Sequence, residues 1–347
     1  MARFLAKLVV GTSVITVLTY FLAMAISIGL LAFTHIGQDL LNHEGPLRLG
    51  AFLILIDTPF RIDLLVSFLV LMGIYIVCFG TALKSNRGYL SSLRNVLNGS
   101  PQRKIPNWFV VMPVASSAIL VVVLAISLVL AAFGLPVGNL PQMEPYKFLY
   151  NLAYAAPVEE AMFRISTLGL LVTLRVTWSA TLTPVPNSGR GMAGLIALSF
   201  LFPDKAKAAV GLPHVADNNW RGLHLSEWFL LILTSVVFGV DHFLANIGWD
   251  IGKPVTAALQ GFALGLVYLS YGAYASILLH WFFDLYAGIF FVSSEVVGGI
   301  FPIIDGIIFL WAVAVGVIGI VAVLSRLASE SGASQTSYKT QSTPESL

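Results

Sequence analysis

The chain is poor in charge. Only 10% of its 347 residues are Asp, Glu, Lys or Arg, against 57% that are hydrophobic. A soluble domain carries roughly 25% charged residues, so too little polar surface is present to coat a water-soluble globule. Cysteine is scarcer still. The single Cys78 excludes a disulfide framework and a multi-thiolate metal centre, and its apolar surroundings read as those of a small core side chain. No solenoid-type repeat is present. The net charge of +2 says little by its sign. The most basic stretch, 84–106, has five basic residues and no acidic one. It reads as a loop held on the cytoplasmic face by its charge rather than as a nucleic-acid site, so nucleic acid is not an expected partner.

What the chain has in abundance is long apolar runs. Spanning a bilayer takes about 20 mostly apolar residues. Eight segments meet or approach that length, at roughly 8–33, 63–83, 107–134, 148–174, 225–246, 254–271, 273–294 and 300–325. The first is too long for the core of a signal peptide and reads as a retained helix. Two apolar stretches are too short to span: 49–60, broken by Pro59, and 191–202. Both are expected to be interfacial or re-entrant. With the N-terminus inside, the inner segments carry fourteen Lys and Arg residues and the outer ones four, Arg48, Arg61, Lys147 and Lys253. This bias predicts both termini in the cytoplasm. The expected architecture is an all-α, polytopic transmembrane bundle in the cell membrane. It divides into N-terminal helices (1–140), a membrane core (141–328), and a Ser/Thr/Gln-rich cytoplasmic tail (329–347) expected to be disordered. The long loop 176–224 carries Pro184, Pro186, Pro203 and Pro213 and could cap or gate a cavity.

Ionisable groups inside spans are expensive, roughly 2.5–3.5 kcal/mol each on insertion scales, and so are functional candidates by default. Three helices carry them. The fourth reads Ala156-Pro157-Val158-Glu159-Glu160-Ala161-Met162-Phe163-Arg164. Glu160 and Arg164 are four apart and can pair. Glu159 is rotated by about 100° and is left for another environment, as suits a general base. The fifth reads Phe238-Gly239-Val240-Asp241-His242, with Phe238 and His242 on one face. The seventh reads His280-Trp281-Phe282-Phe283-Asp284, with His280 and Asp284 one turn apart. Each signal alone also fits a structural hydrogen-bonding pair. Together they are groups that need partners in lipid and find the nearest ones in each other. A carboxylate converging with two imidazoles can activate water, so hydrolysis is the natural reaction class. Gly261 and Gly265 on the sixth span form a small-xxx-small pair that permits close helix packing.

The order Glu-Glu-x-x-x-Arg, Phe-x-x-x-His, His-x-x-x-Asp/Asn resembles the CAAX protease and bacteriocin-processing (Abi) family, to which the type II CAAX prenyl endopeptidase belongs. The resemblance covers about residues 145–295. It implies an intramembrane endopeptidase acting on a peptide or protein with a membrane-associated or lipidated segment, with lipids as its surroundings. By that analogy Glu159 and His242 activate water, and His280 and Asp284 steady the oxyanion. Glu160, Arg164 and Phe238 support the site. The eukaryotic members usually carry Asn where this chain has Asp284, and an ionised Asp is a poor oxyanion donor. The resemblance leaves the cofactor open: a divalent metal such as zinc, with Glu159, His242 and His280 as candidate ligands, or none. No His-Glu-x-x-His occurs, since His43-Glu44 is followed by Gly45-Pro46-Leu47, and neither Gly-x-Gly-Asp nor Gly-x-Ser-Gly is present. The alternatives are a transporter using the buried charges and a catalytically idle scaffold or immunity factor. Counted along the spans, Glu159 falls near mid-membrane, His242 near the outer end of its helix and His280 nearer the inner end. Convergence therefore requires tilt, shifted boundaries or a buried 246–253 segment.

Overall fold

A computed structural model describes residues 2–86, 88–99, 106–139, 142–182, 191–245 and 248–341, with side chains described within 6–325. Helix α1 (Ala2–Phe33) leads through a short α2 (His35–Leu41) to strands β1 (Glu44–Ala51) and β2 (Ile54–Asp63). Then come α3 (Leu64–Lys84), α4 (Tyr89–Leu97), α5 (Trp108–Ala132) and α6 (Pro145–Glu160). A π-helical segment (Ala161–Leu168) joins α6 to α7 (Gly169–Leu182). Three short helices follow: α8 (Met192–Leu201), α9 (Pro203–Ala209) and α10 (Val215–Asn218). The chain ends with α11 (Leu225–Leu244), α12 (Lys253–Tyr271), α13 (Ala273–Trp281), a second π segment (Phe282–Tyr286), α14 (Ala287–Val296) and α15 (Phe301–Gln341).

Among the described residues eight helical runs are long and apolar enough to cross a membrane: 6–33, 64–97, 108–132, 145–182, 225–244, 253–271, 273–296 and 301–325. They coincide with the eight expected segments, and the protein is an integral, multi-pass membrane protein. Helix α15 continues beyond Ser329, where the sequence suggests a disordered tail; residues 342–347 of that tail lie outside the described residues.

In lipid every backbone polar group needs an internal partner, and the helix-breaking residues show how this chain supplies them. A proline within a helix leaves the carbonyl four residues earlier without its donor. Pro113 in α5 frees the Phe109 carbonyl, and Ser13 of α1 donates to it at 2.8 Å. Pro157 in α6 frees the Ala153 carbonyl, and Tyr75 of α3 donates to it at 2.7 Å. Each kink thus fixes a neighbouring helix. Helix starts are capped by side chains: Asp63 accepts from the Leu65 and Val66 amides, Asn107 from the Phe109 amide. Gly272, at φ 102°, divides α12 from α13, a conformation open mainly to glycine.

Three connecting stretches hold more regular structure than their length suggests. The stretch 49–60, expected to be interfacial or re-entrant, is most of an antiparallel hairpin, β1–β2. Leu47, Leu49 and Ala51 alternate with Arg48 and Gly50 along β1, β2 opens on the continuous apolar run Ile54-Leu55-Ile56, and Pro59 is accommodated where the register breaks. Residues 58–60 oppose Leu47 without pairing, so no ladder N–H is missed. The loops at 84–106 and 176–224 also contain packed helices. Lys207, counted above as a cytoplasmic loop charge, is fully buried. It donates to the Gly222 carbonyl at 2.9 Å and to Glu227 at 3.0 Å, while Arg175 reaches the other Glu227 oxygen at 2.6 Å. Asp204 accepts from the Val215 and Ala216 amides. Burial pushes its carboxyl above the ordinary carboxylate range, and those two donors pull the other way.

Helix contacts rely on small residues. Gly261 and Gly265 on α12 face Phe238 and Leu231 of α11, and Gly239 of α11 faces Pro254 and Ala258 of α12. Gly316 on α15 packs on the Ser117 carbonyl of α5, where a Cβ would collide with backbone. Gly316→Val, remote from the charged helices, is expected to destabilise by overpacking, by about 1–3 kcal/mol. A lowered unfolding temperature of the detergent-solubilised protein checks this.

Candidate active site

Two of the three motif helices, α6 and α13, meet at Glu160. Its Oε1 accepts from Arg164 Nη1 and from His280 Nδ1, both at 2.9 Å, and its Oε2 accepts from Ser276 Oγ. Arg164 Nη2 donates to the Gly261 carbonyl of α12 at 3.1 Å. All four side chains are buried. Arg164 and Glu160 remain one turn apart even though the π segment begins at Ala161. The wider turn is stitched by hydroxyls: Ser166 donates to the Ala161 and Met162 carbonyls and Thr167 to Met162. The second π segment carries Asp284. Insertions of this kind re-aim side chains inside a helix and are frequent at functional sites.

Glu159 stands apart from this network, as its rotation predicts. Its Oε2 lies 3.5 Å from His280 Nε2, while Asp284 Oδ2 approaches the same nitrogen at 3.2 Å. Neither oxygen is aligned for a hydrogen bond, and both are buried without one. His280 therefore faces three carboxylates, Glu160 on Nδ1 and Glu159 and Asp284 on Nε2. His242 is half-buried, and its Nδ1 donates to the Phe238 carbonyl at 2.8 Å. That bond fixes the tautomer and leaves Nε2 as a proton acceptor. Phe238 is the hub of the aromatic packing. Its ring contacts His242 (centroids 4.5 Å apart), His280 (5.8 Å) and Phe163 (5.0 Å), and it carries the Arg164 guanidinium 4.3 Å from its centroid.

All seven motif residues, Glu159, Glu160, Arg164, Phe238, His242, His280 and Asp284, thus belong to one neighbourhood. The difficulty of depth dissolves because the spans are unequal. Arg164 lies far into its span, 145–182, yet its partner Gly261 is only about two turns into α12. Helix α6 therefore begins about three turns beyond the start of α12. A residue midway along the long span is level with the end of α11 and the start of α12, where His242 sits. Asp241 is exposed and takes no part.

Sequence reasoning missed Ser276. Ser276, His280 and Asp284 recur at four-residue spacing, so the signal was present in the same stripe. It also missed Tyr154, whose buried hydroxyl has no hydrogen-bond partner. A three-ligand metal centre does not fit this arrangement. His280 turns both ring nitrogens toward carboxylates, and among the described residues no group of three or more His, Cys, Asp or Glu side chains is placed to hold an ion.

Glu160 and Glu159 should respond differently to loss of charge. Glu160→Gln leaves a buried guanidinium without its counter-ion and is expected to destabilise by about 3–5 kcal/mol. Glu159→Gln, which breaks no hydrogen bond, should leave the unfolding temperature unchanged. Thermal unfolding of the two variants in detergent checks the contrast.

No curated protein and no solved structure matches the chain. A family model does, over a segment that holds every motif residue and ends two residues past Asp284. That model, described as Rce1-like, type II CAAX prenyl endopeptidase, matches residues 141–286.

Proposed function

We propose that the protein is a CAAX-type intramembrane endopeptidase that hydrolyses a peptide bond in a membrane-associated, lipidated substrate. Its catalytic unit is 141–328, the preceding helices brace that unit, and both termini lie on the cytoplasmic side of the cell membrane. The observation that carries this reading is the unequal treatment of two adjacent carboxylates. Glu160 is consumed by Arg164, His280 and Ser276. Glu159 keeps a buried oxygen without a hydrogen bond, beside an imidazole. A carboxylate held in this way is available to take a proton.

In the mechanism, a water between Glu159 and His242 Nε2 gives up a proton to Glu159 as its oxygen attacks the scissile carbonyl carbon. The carbonyl π bond opens to a tetrahedral oxyanion. His280, clamped by Glu160, supplies the positive field that offsets this charge. The proton held by Glu159 then passes to the leaving nitrogen, the C–N bond breaks, and a carboxylic acid and an amine are released, which leave as carboxylate and ammonium once the acid proton has passed to the amine. Asp284 is assigned to orienting His280 rather than to donating to the oxyanion, since an ionised carboxylate has no proton to give. No step passes through a metal.

Proteomics of membrane-peptide termini, comparing cells with the wild-type chain and with Glu159→Gln, tests the activity. A set of termini present only with the wild type is expected; identical termini in both would sink the proposal. In a purified assay with an S-farnesyl Cys-a-a-X peptide, His242→Ala should lower kcat by at least 100-fold. Asp284→Asn, which keeps the shape and weakens the orientation, should lower it by about 10–100-fold.

A further inference from the structure

The hydrolysis proposed above leaves one atom without a partner. When the carbonyl opens, its oxygen takes on a negative charge, and a fixed N–H aimed at it is a large part of what lowers the barrier. The motif residues have no such donor to spare. His280 gives Nδ1 to Glu160 and turns Nε2 toward Glu159 and Asp284. Arg164 is fully buried, with its guanidinium on Glu160, the Gly261 carbonyl and the Phe238 ring. The Nδ1 proton of His242 goes to the Phe238 carbonyl. An ionised Asp284 has only acceptors, and its charge beside the reacting carbonyl opposes the oxyanion.

Lys253 stands where a donor is needed. It is the first residue of α12, and α11 and α12 run antiparallel along a close seam. Down that seam Gly265 meets Leu231, Gly261 meets Ser235 and Phe238, and Gly239 meets Ala258 and Pro254. Each turn gained on α11 is a turn lost on α12, so the next step brings His242 beside the start of α12. Glu159 is close to the same level. It precedes Arg164 by about 7.5 Å of helix, and Lys253 precedes Gly261, the partner of Arg164, by about 12 Å. A lysine side chain is long enough to cover the difference. Its ammonium lies within electrostatic reach of His242, Asp284 and Glu159. Accessibility draws the same line. Glu160, Arg164 and His280 are closed off. Glu159 and Asp284 keep 28% and 25% of their side-chain surface open, and His242 and Lys253 are half-buried. A carbonyl that approaches the open side therefore meets Lys253.

The placement of Lys253 is fixed by the backbone before it. Residues 248–252 lie against 136–139, beyond the end of α5. The Asn139 amide donates to the Gly248 carbonyl at 3.2 Å, the Asp250 amide to Val137 at 3.0 Å and the Gly252 amide to Pro136 at 2.9 Å. A Cβ on Gly252 would stand 2.5 Å from the Leu135 carbonyl oxygen. Trp249 is anchored by this pairing, and the Lys253 ammonium rests over its ring, 3.7 Å from the centroid. Among the described residues the ammonium makes no hydrogen bond and no ion pair. Its three N–H groups are therefore open. It also stands at the wrong end of its helix for stability, since the N-terminus already carries the positive end of the dipole.

We propose that Lys253 is the oxyanion donor of this site: its ammonium gives a hydrogen bond to the scissile carbonyl oxygen as the tetrahedral intermediate forms. The lysine keeps its proton throughout, so the balance of the hydrolysis is unchanged. His280 supplies a fixed field and Lys253 the directed N–H. The ammonium also offsets the charge of Asp284, which otherwise works against the oxyanion. This inference rests on the proteolytic reading of the site, and the two can fail separately.

The test uses the full chain in phosphatidylcholine vesicles, with an S-farnesyl Cys-a-a-X peptide and its phosphinic analogue, in which a tetrahedral, negatively charged phosphinate replaces the scissile carbonyl. Lys253→Met, which keeps the length and removes the charge, is expected to lower kcat about 100–1000-fold with KM little changed. It should weaken phosphinate binding by a similar factor and leave substrate affinity, read by fluorescence anisotropy in a Glu159→Gln background, unaltered. Lys253→Arg should recover most of the rate. The unfolding temperature of Lys253→Met should not fall, since the charge it removes opposes the helix dipole. An unchanged kcat in Lys253→Met would overturn the donor and leave the protease standing. So would a raised KM with kcat kept, seen with the free-acid peptide and absent with its C-terminal amide, which would make Lys253 a reader of the substrate carboxylate. A rate loss that comes with a lowered unfolding temperature and that Lys253→Arg does not recover makes the lysine structural and likewise overturns the donor. Phosphinate binding that needs Lys253, in a wild type that cleaves no peptide, would support the donor and overturn the hydrolytic assignment. A wild type that neither cleaves the peptide nor binds the phosphinate overturns both.

Discussion

Everything near the centre of this protein depends on one buried ion pair. An isolated guanidinium inside a bilayer is among the most expensive groups a chain can hold. Arg164 is tolerated because Glu160 is one turn away, and Glu160 in turn draws in His280 and Ser276 from α13, while Arg164 reaches the Gly261 carbonyl of α12. The pair therefore joins α6, α12 and α13, and Phe238 of α11 closes it with an aromatic face. Satisfying Glu160 completely is what leaves Glu159 with nothing to bond, and that asymmetry is the chemical content of the site.

The backbone departs from regular helix where the charged motif residues gather. Pro157 stands two residues before Glu159, one π segment follows Glu160 and another holds Asp284. Each departure liberates backbone groups, and in a bilayer these must be taken up by protein. Tyr75, Ser166, Thr167 and the hairpin tip do so. The irregular core is thereby tied to its surroundings at many points, which keeps the motif side chains in fixed positions without regular helix packing around them.

A second buried ion group lies away from this centre. Lys207, Glu227 and Arg175 anchor the region after α7 to the start of α11. Glu227 also caps its own helix by accepting from the His224 amide, so one carboxylate serves the helix terminus and the packing of the segment before it. Lys207 illustrates what charge counting misses. Its sequence position fits a cytoplasmic loop, but only the partner twenty residues on decides whether its ammonium is in water or buried.

The sequence by itself determined the class of the molecule, its eight spans and the identity of the motif residues. Hydrophobic length and the cost of charge in lipid are local, additive properties that can be read along a chain. The pairing of Glu160 with Arg164 was legible for the same reason, as a one-turn relation within one helix. Tertiary structure alone decided the rest. That Glu160, rather than Asp284 alone, clamps His280, and that Ser276 completes the clamp, follows from how α6 meets α13. The common level of Glu159 and His242 comes from the unequal projection of α6 and α12, which no count along a single span contains. The hairpin is the clearest case. The stretch 49–60 is too short to span and carries a proline, and on its own it favours no fold. It becomes a strand pair because a widened π turn offers the Met162 carbonyl and the Ser166 hydroxyl as partners for its tip.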